Sequence, residues 1–485
     1  MKFSIPLALA AVAFSTQAGP LQDAEKELFA ARYKSAAKLY AAALQADPAE
    51  SGAYYGLVRA LIEDRRSGEA YAVAAKALQR NPQTPQTQTA AGMAAFRSGD
   101  LAKADERFRA ALKLDPDYAG ALRGLASVEA TVSKFKTARD LLLAAWRSSP
   151  GDPQLMIARA NALKGAERVK ALQEALAILE PHSDEARRLR ARIADDLAVG
   201  GRQLRRLTSP YVASKIQLSP DPGPTLSVLV QLNRRHTVRL RLDTGASGIQ
   251  VPSEVATFAG LEKLGGLSVE GRGLGDEPGP SATRRLASEV RIGDVVFADY
   301  PIIVSDAGLI GADVFEAFLV TIDPPHHEIS LAPRADGPPP ASADPADAAS
   351  EPNAGFCRAF RFGHFLAVPT LVNGGRGTLF AIDTGSPNTL LDYSPGREYS
   401  AMPVVRRGEV SGVQGNVGQV WRVSRVSLAF AGFRQRNLSL DAIGLEDLSD
   451  SMGTALGGIL GLSSIGQLAL TLDYREGTVR FEHRK

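Results

Sequence analysis

Two aspartates, Asp243 and Asp383, each stand at the end of a short apolar run and each open an Asp-Thr-Gly tripeptide. The first run is Val238-Arg239-Leu240-Arg241-Leu242 and the second is Leu379-Phe380-Ala381-Ile382. A small residue follows each tripeptide (Ala246, Ser386), and the chain then turns apolar again at Ile249-Gln250-Val251 and Leu390-Leu391. A strand that stops at Asp-Thr-Gly and folds back presents a carboxylate on a tight loop that glycine permits. Two such loops set face to face would hold two carboxyls close enough that only one ionises. One acid and one base would then be available for activating water.

The elements needed to position these loops also occur twice. After the first loop come Leu309-Ile310-Gly311, then Phe318-Leu319-Val320-Thr321-Ile322-Asp323 and Ile329-Ser330-Leu331. After the second come Ile459-Leu460-Gly461, then Leu468-Ala469-Leu470-Thr471-Leu472-Asp473 and Thr478-Val479-Arg480-Phe481. Each half reads as strand, Asp-Thr-Gly, several strands, two apolar residues with glycine, a short helix and a closing hairpin. The two aspartates are 140 positions apart, the size of one small β domain. The pattern is an internal duplication.

Asp-Thr-Gly-Ala/Ser followed by apolar-apolar-Gly resembles the retropepsin-like aspartyl peptidases in their bacterial form, with two lobes fused in one chain. The resemblance implies that Asp243 and Asp383 are the catalytic pair. It implies that Thr244 and Thr384 bond across the lobe interface, with Gly245 and Gly385 completing the turns. Ile310-Gly311 and Leu460-Gly461 are then expected to back those turns. Ser386 replaces Ala246 in the second lobe, and its hydroxyl is expected to bond the neighbouring carboxylate. A flap hairpin over the substrate is expected at the glycine-punctuated stretches, around Gly271 and Gly273 in one lobe and Gly412 and Gly415 in the other. The implied reaction is peptide hydrolysis by water held between the two aspartates, with a peptide or protein as substrate.

Ahead of the lobes the chain is alanine-rich and helical in period. Pro48, Pro82, Pro116 and Pro150 recur every 34 residues. In register with them stand Ala36, Ala70, Ala104 and Ala138, and again Ala43, Ala77, Ala111 and Ala145. Small residues let paired helices approach, and proline stops the second helix of each pair. The array resembles four tetratricopeptide repeats, capped by a degenerate helix pair near Leu155–Leu179 and a helix over Asp184–Leu197. Its concave groove is the expected place for a partner protein or for recruiting a client.

The fold class that follows is multidomain, an N-terminal all-α tetratricopeptide solenoid followed by two all-β lobes. Residues 1–18 read as a secretory signal peptide, with Lys2 ahead of an apolar run from Ile5 to Phe14 and Thr16-Gln17-Ala18 at its end. The array is assigned to residues 19–200, the first lobe to 212–335, a Pro/Ala-rich linker to 336–354 and the second lobe to 355–485. Export to a bacterial periplasm or medium is the expected destination, and no later stretch is long and apolar enough to span a membrane.

A net charge of +3 on 485 residues gives no nucleic-acid footprint. Six histidines without ligand spacing give no metal site, and no cofactor is expected. The single cysteine, Cys357, excludes an intrachain disulfide and reads as a small packed residue. Two other readings stay open: a non-enzymatic adaptor whose lobes only dock peptides, and a pairing of lobes between two copies of the chain.

Overall fold

The computed structural model describes residues 19–483 except 222–223, 265–268, 271–280, 336–354, 394–403, 408–409, 413–414 and 418–419. The expected signal peptide and linker therefore lie outside the described residues. Helices fill the region from Pro20–Phe29 to Asp184–Val199, and strands follow from Arg206–Leu207 onward.

The 34-residue step is visible in the helix ends. Helices Tyr33–Ala46, Ser67–Arg80, Leu101–Leu114 and Phe135–Ser148 each stop two residues before one of the four prolines. Proline has no N–H and disfavours helical backbone in the residue before it, so the stop is local. The in-register alanines are what the packing needs. Ala36, Ala70, Ala77, Ala104, Ala111 and Ala145 are fully buried between helices. Aromatic rings fill the space they leave, against glycines of neighbouring helices. A methyl on Gly56 would stand 2.2 Å from the Tyr40 ring, and one on Gly124 would stand 2.2 Å from Phe108. Helices Pro153–Asn161 and Gly165–Leu176 form the degenerate pair. Helix Asp184–Val199 closes the array, with the Ser183 hydroxyl capping its start and left-handed Gly200 its end.

Both lobes follow one plan. In the first, strand Leu226–Leu232 pairs with His236–Leu242, which runs directly into Asp243. His236–Leu242 lies parallel to Leu309–Ile310, which pairs in turn with Ile249–Val251. That strand is parallel to Val295–Val304, and Ser281–Ile292 closes the barrel back onto Leu226–Leu232. The second lobe repeats the order with Phe365–Val372, Gly377–Ile382, Leu456–Leu460, Leu390–Asp392, Phe433–Ile443 and Val420–Phe430. Val420–Phe430 again returns to the first strand of its lobe.

The closing hairpins do not complete their own lobes. They join in one six-stranded sheet shared by both, in the order Cys357–Arg358, Thr478–His483, Leu468–Asp473, Leu319–Asp323, Glu328–Ala332 and Ser214–Gln217. The central pair is antiparallel, with Val320, Thr321 and Ile322 opposite Leu472, Thr471 and Leu470. The Thr321 and Thr471 hydroxyls meet at 3.0 Å where an approximate two-fold axis crosses the seam. One hydrophobic core runs through both lobes and includes Val320, Ile322, Leu470 and Leu472.

The helical array is docked firmly on the second lobe. Leu101 is part of that lobe's own apolar cluster, beside Leu379, Leu456 and Ile459. Arg97 is buried, pairs with Asp450 and donates to the Ser449 carbonyl at 2.8 Å. The backbone joins in as well: Ala455 N–H donates to the Arg97 carbonyl at 2.8 Å, and the Thr454 hydroxyl to the Phe96 carbonyl at 2.7 Å. Contacts with the first lobe are fewer and more exposed, such as Arg284 with Asp195 at 2.7 Å.

Candidate active site

Asp243 and Asp383 meet at the two-fold axis. Each is held because the strand before it and the apolar-apolar-Gly strand beside it run parallel. Asp243 N–H donates to the Ile310 carbonyl at 2.9 Å, and Asp383 N–H to the Leu460 carbonyl at 3.0 Å. The glycine after each apolar pair is needed for close approach. A methyl on Gly311 would stand 2.3 Å from the Ala246 carbonyl oxygen, and one on Gly461 would stand 2.2 Å from that of Asn388.

The threonines cross the seam reciprocally. Thr244 Oγ1 donates to the Ile382 carbonyl at 2.8 Å and accepts from Thr384 N–H at 3.0 Å. Thr384 Oγ1 donates to the Leu242 carbonyl at 3.2 Å and accepts from Thr244 N–H at 3.1 Å. Both threonines are buried, so four hydrogen bonds shielded from water fix one turn against the other. Gly245 and Gly385 then lie against the carboxyls of the opposite lobe. A methyl on Gly385 would stand 2.4 Å from Asp243 Cγ, and one on Gly245 would stand 3.0 Å from Asp383 Cγ.

The two carboxyls are half-buried and face each other across the seam, each against the glycine of the opposite turn. Desolvation and then the charge of Asp243 push Asp383 well above the usual carboxylate range. Backbone donors oppose this without overcoming it: Gly385 N–H at 2.8 Å and Ser386 N–H at 3.1 Å, both on Asp383 Oδ1. Asp243 Oδ1 accepts from Gly245 N–H at 2.7 Å. A close pair that keeps one proton can act as acid and base together.

Ser386 departs from expectation. Its hydroxyl donates to the Asn388 carbonyl at 2.8 Å rather than to a carboxylate, because that carbonyl lies within the same turn. Only its backbone reaches Asp383. Of the expected flaps, Gly271 and Gly273 lie outside the described residues. Gly412 and Gly415 face each other across a small antiparallel hairpin of Val410–Gly412 and Gly415–Val417.

Several supporting residues carry no mark in the sequence. Asp313 accepts from Gly248 N–H at 2.8 Å and from the Ser247 hydroxyl at 3.2 Å, bracing the first turn from behind. Ser463 accepts from Thr389 N–H at 2.8 Å in the matching place of the second lobe. Both sit two residues after the turn-backing glycine, and alignment of the two halves on that glycine would have paired them. His364 also touches the first turn, with Nε2 at 2.9 Å from the Gly245 carbonyl.

The concave face of the array is largely filled by its own side chains. Arg59 and Asp152 pair across it at 2.8 Å, the Tyr55 and Tyr118 rings meet edge to face, and Glu180 N–H donates back to the Ala30 carbonyl at 2.8 Å. A cavity of about 440 Å³ remains, lined by Phe29, Tyr40, Tyr55, Tyr118, Glu25 and Asp117 among others.

Comparisons with known proteins match two parts of the chain. Residues 228–314 match the aspartyl protease family, and residues 17–93 and 89–153 match tetratricopeptide repeat families. Among solved structures, similarity is found to the APC/C hetero-tetramer Cut9–Hcn1, at 16% identity and a TM-score of 0.29. It covers 36% of this chain and 41% of that one. Similarity is also found to a thermophilic TPR protein of Thermus thermophilus, at 23% identity and a TM-score of 0.27, over 37% of this chain and 97% of that one. Both scores are too low to bear on the arrangement of the domains. A search of curated proteins gave no match. The matched segments therefore set tetratricopeptide repeats, over residues 17–153, ahead of an aspartyl protease domain at residues 228–314.

Proposed function

We propose that the protein is an exported aspartic endopeptidase whose water is activated between Asp243 and Asp383. The observation that carries this reading is the pair of carboxyls brought face to face by the reciprocal threonine bonds, each against the opposite glycine, with Asp383 held well above the usual carboxylate range by desolvation and the charge of Asp243. A pair holding one proton suits the chemistry. The ionised carboxylate takes a proton from water as its oxygen attacks the peptide carbonyl carbon. The protonated carboxyl gives its proton to the carbonyl oxygen, leaving a neutral tetrahedral diol. Collapse of the diol moves a proton onto the departing nitrogen, breaks the C–N bond and restores the shared proton.

A pure docking platform gains nothing from two desolvated acids side by side, which disfavours the adaptor reading. Pairing between two copies is disfavoured by the shared sheet, since both halves of the seam lie in one chain. The helical array serves first as a support for the second lobe. Its remaining cavity, walled by tyrosines and edged by Glu25 and Asp117, is the place for a segment of a partner or client protein.

The test is cleavage of an unfolded protein substrate by the mature chain, with Asp243→Asn and Asp383→Asn as controls. Inhibition by a peptide mimic bearing a secondary alcohol is expected. Substrate binding without cleavage by the wild-type chain would favour the adaptor. Secretion is read separately, from loss of residues 1–18 in the protein recovered outside the cytoplasm.

A further inference from the structure

His364 stands where the three parts of the molecule meet. It belongs to the tight turn between strands Phe360–Phe362 and Phe365–Val372 of the second lobe, yet its ring nitrogen reaches the Asp-Thr-Gly turn of the first. The partner is a carbonyl oxygen, which can only accept. Nε2 therefore carries the proton and donates to Gly245. Gly245 is the residue whose N–H holds Asp243 Oδ1 at 2.7 Å and whose Cα faces the Asp383 carboxyl.

The turn bearing His364 is itself clamped. The Arg361 guanidinium donates to the Gly363 carbonyl at 2.8 Å, to the Tyr474 carbonyl at 2.8 Å and to Glu316 of the first lobe at 2.9 Å. Its carbon lies 5.2 Å from the ring centre of Phe135, in the helical array. Helix Ala119–Thr131 of the array packs on strand Phe360–Phe362. The imidazole lies against Phe365, ring centres 4.0 Å apart and planes tilted by 35°. Burial holds His364 below the usual imidazole range, against the opposing pull of the Gly245 bond and of Asp313 and Asp243, with Arg361 adding to the depression. The ring keeps its Nε2–H in either charge state, so the bond to Gly245 survives titration.

We infer that His364 is a positioning residue for the carboxyl pair: it pins the Gly245 carbonyl from the opposite lobe and so fixes Asp243 against Asp383. The inference rests on the peptidase reading for its kinetic part only.

The test uses the full mature chain and two variants. His364→Phe keeps a buried ring that can stack on Phe365 but has no donor. His364→Gln restores an N–H near the same point. On a peptide substrate, His364→Phe is expected to lower kcat roughly 10- to 100-fold with KM within about twofold, as for a displaced reacting group. His364→Gln should stay within about threefold of wild type. The second readout does not require activity: amide exchange at Gly245 should be roughly tenfold faster in His364→Phe and near wild type in His364→Gln. Wild-type kcat in the Phe variant overturns the inference. So does a loss of kcat in both variants that tracks a lower melting temperature. If the wild-type chain cleaves nothing, the peptidase reading fails and exchange alone decides. Faster exchange confined to the Phe variant sustains His364, and equal exchange in all three proteins overturns it.

Discussion

The two lobes carry the same strand order around the same tripeptide, yet they hold their aspartates differently. Asp383 accepts from two backbone N–H groups on one oxygen and Asp243 from Gly245 N–H. Behind the first turn stands an aspartate, Asp313, and behind the second a serine, Ser463. The second lobe is anchored to the helical array through buried Arg97, whereas the first meets it through half-exposed pairs. The elements on the two-fold axis are matched bond for bond: the threonines at the site and Thr321 with Thr471 in the shared sheet. Symmetry is kept where one lobe is the other's partner. Away from the axis each lobe answers to different neighbours and diverges.

The largest expected effect tests whether the two aspartates are equal halves of one unit. Asp243→Asn and Asp383→Asn should each lower peptide hydrolysis by about 10³-fold while circular dichroism stays unchanged, since each removes half of one acid–base couple. A variant that retained near wild-type turnover would show that its aspartate is not part of the couple.

Anchoring should prove unequal. Arg97→Ala removes the buried one of Asp450's two arginine partners, leaving Arg65 at 3.5 Å, and should cost about 1.5–3 kcal/mol in denaturant unfolding. Arg284→Ala, at the exposed junction of the first lobe, should cost about 0–1 kcal/mol. Comparable losses in the two variants would mean that the array supports both lobes alike. Removal of the array, residues 19–200, is expected to unfold the second lobe first, since Leu101 belongs to its core.

The axis residues should behave as twins. Thr244→Ala and Thr384→Ala each delete a buried hydroxyl that both donates and accepts, at about 2 kcal/mol apiece. The double variant should lose less than the sum, because both hydroxyls brace the same pair of turns across one seam. Full additivity in thermal unfolding would deny that coupling.

Protonation offers a gentler probe of the pair. The folded chain retains the Asp383 proton above the value of 3.8 at which an unperturbed aspartate would release it. More protons are then bound in the folded state than in the unfolded one. This contribution to stability is complete below about pH 4 and is lost as the pH rises through the raised pKa. Asp383→Asn should flatten that decline in a melting series from pH 4 to 8, and activity should peak on the acidic side. At the bottom of the scale, Ser386→Ala should leave the acidic limb of the rate profile in place, since its hydroxyl serves Asn388. A shifted limb would restore the hydroxyl to the site.

Much of this arrangement is legible in the residues. The 34-residue step of proline and alanine marks helix ends and close contacts, both set by short-range sterics. The duplicated Asp-Thr-Gly and apolar-apolar-Gly segments identify the turns and their backing strands, because such turns tolerate few residue types. The closing hairpins also read as strands, but their pairing partners do not. Leu319–Asp323 lies against Leu468–Asp473 rather than completing its own barrel, a choice between edges of similar composition that only the assembled lobes make. Ser386 differs from its expected role for a local reason: its hydroxyl meets the Asn388 carbonyl two residues on, within the same turn.

The sequence by itself determined the array, the two turns and the chemistry of their carboxyls, since these rest on local backbone demands repeated at fixed spacing. The tertiary structure decided which side chains support them. His364 is 119 positions from Gly245, and Arg97 is 352 from Ser449. Neither has a local signature, because the bond each makes depends on how whole lobes and helices pack.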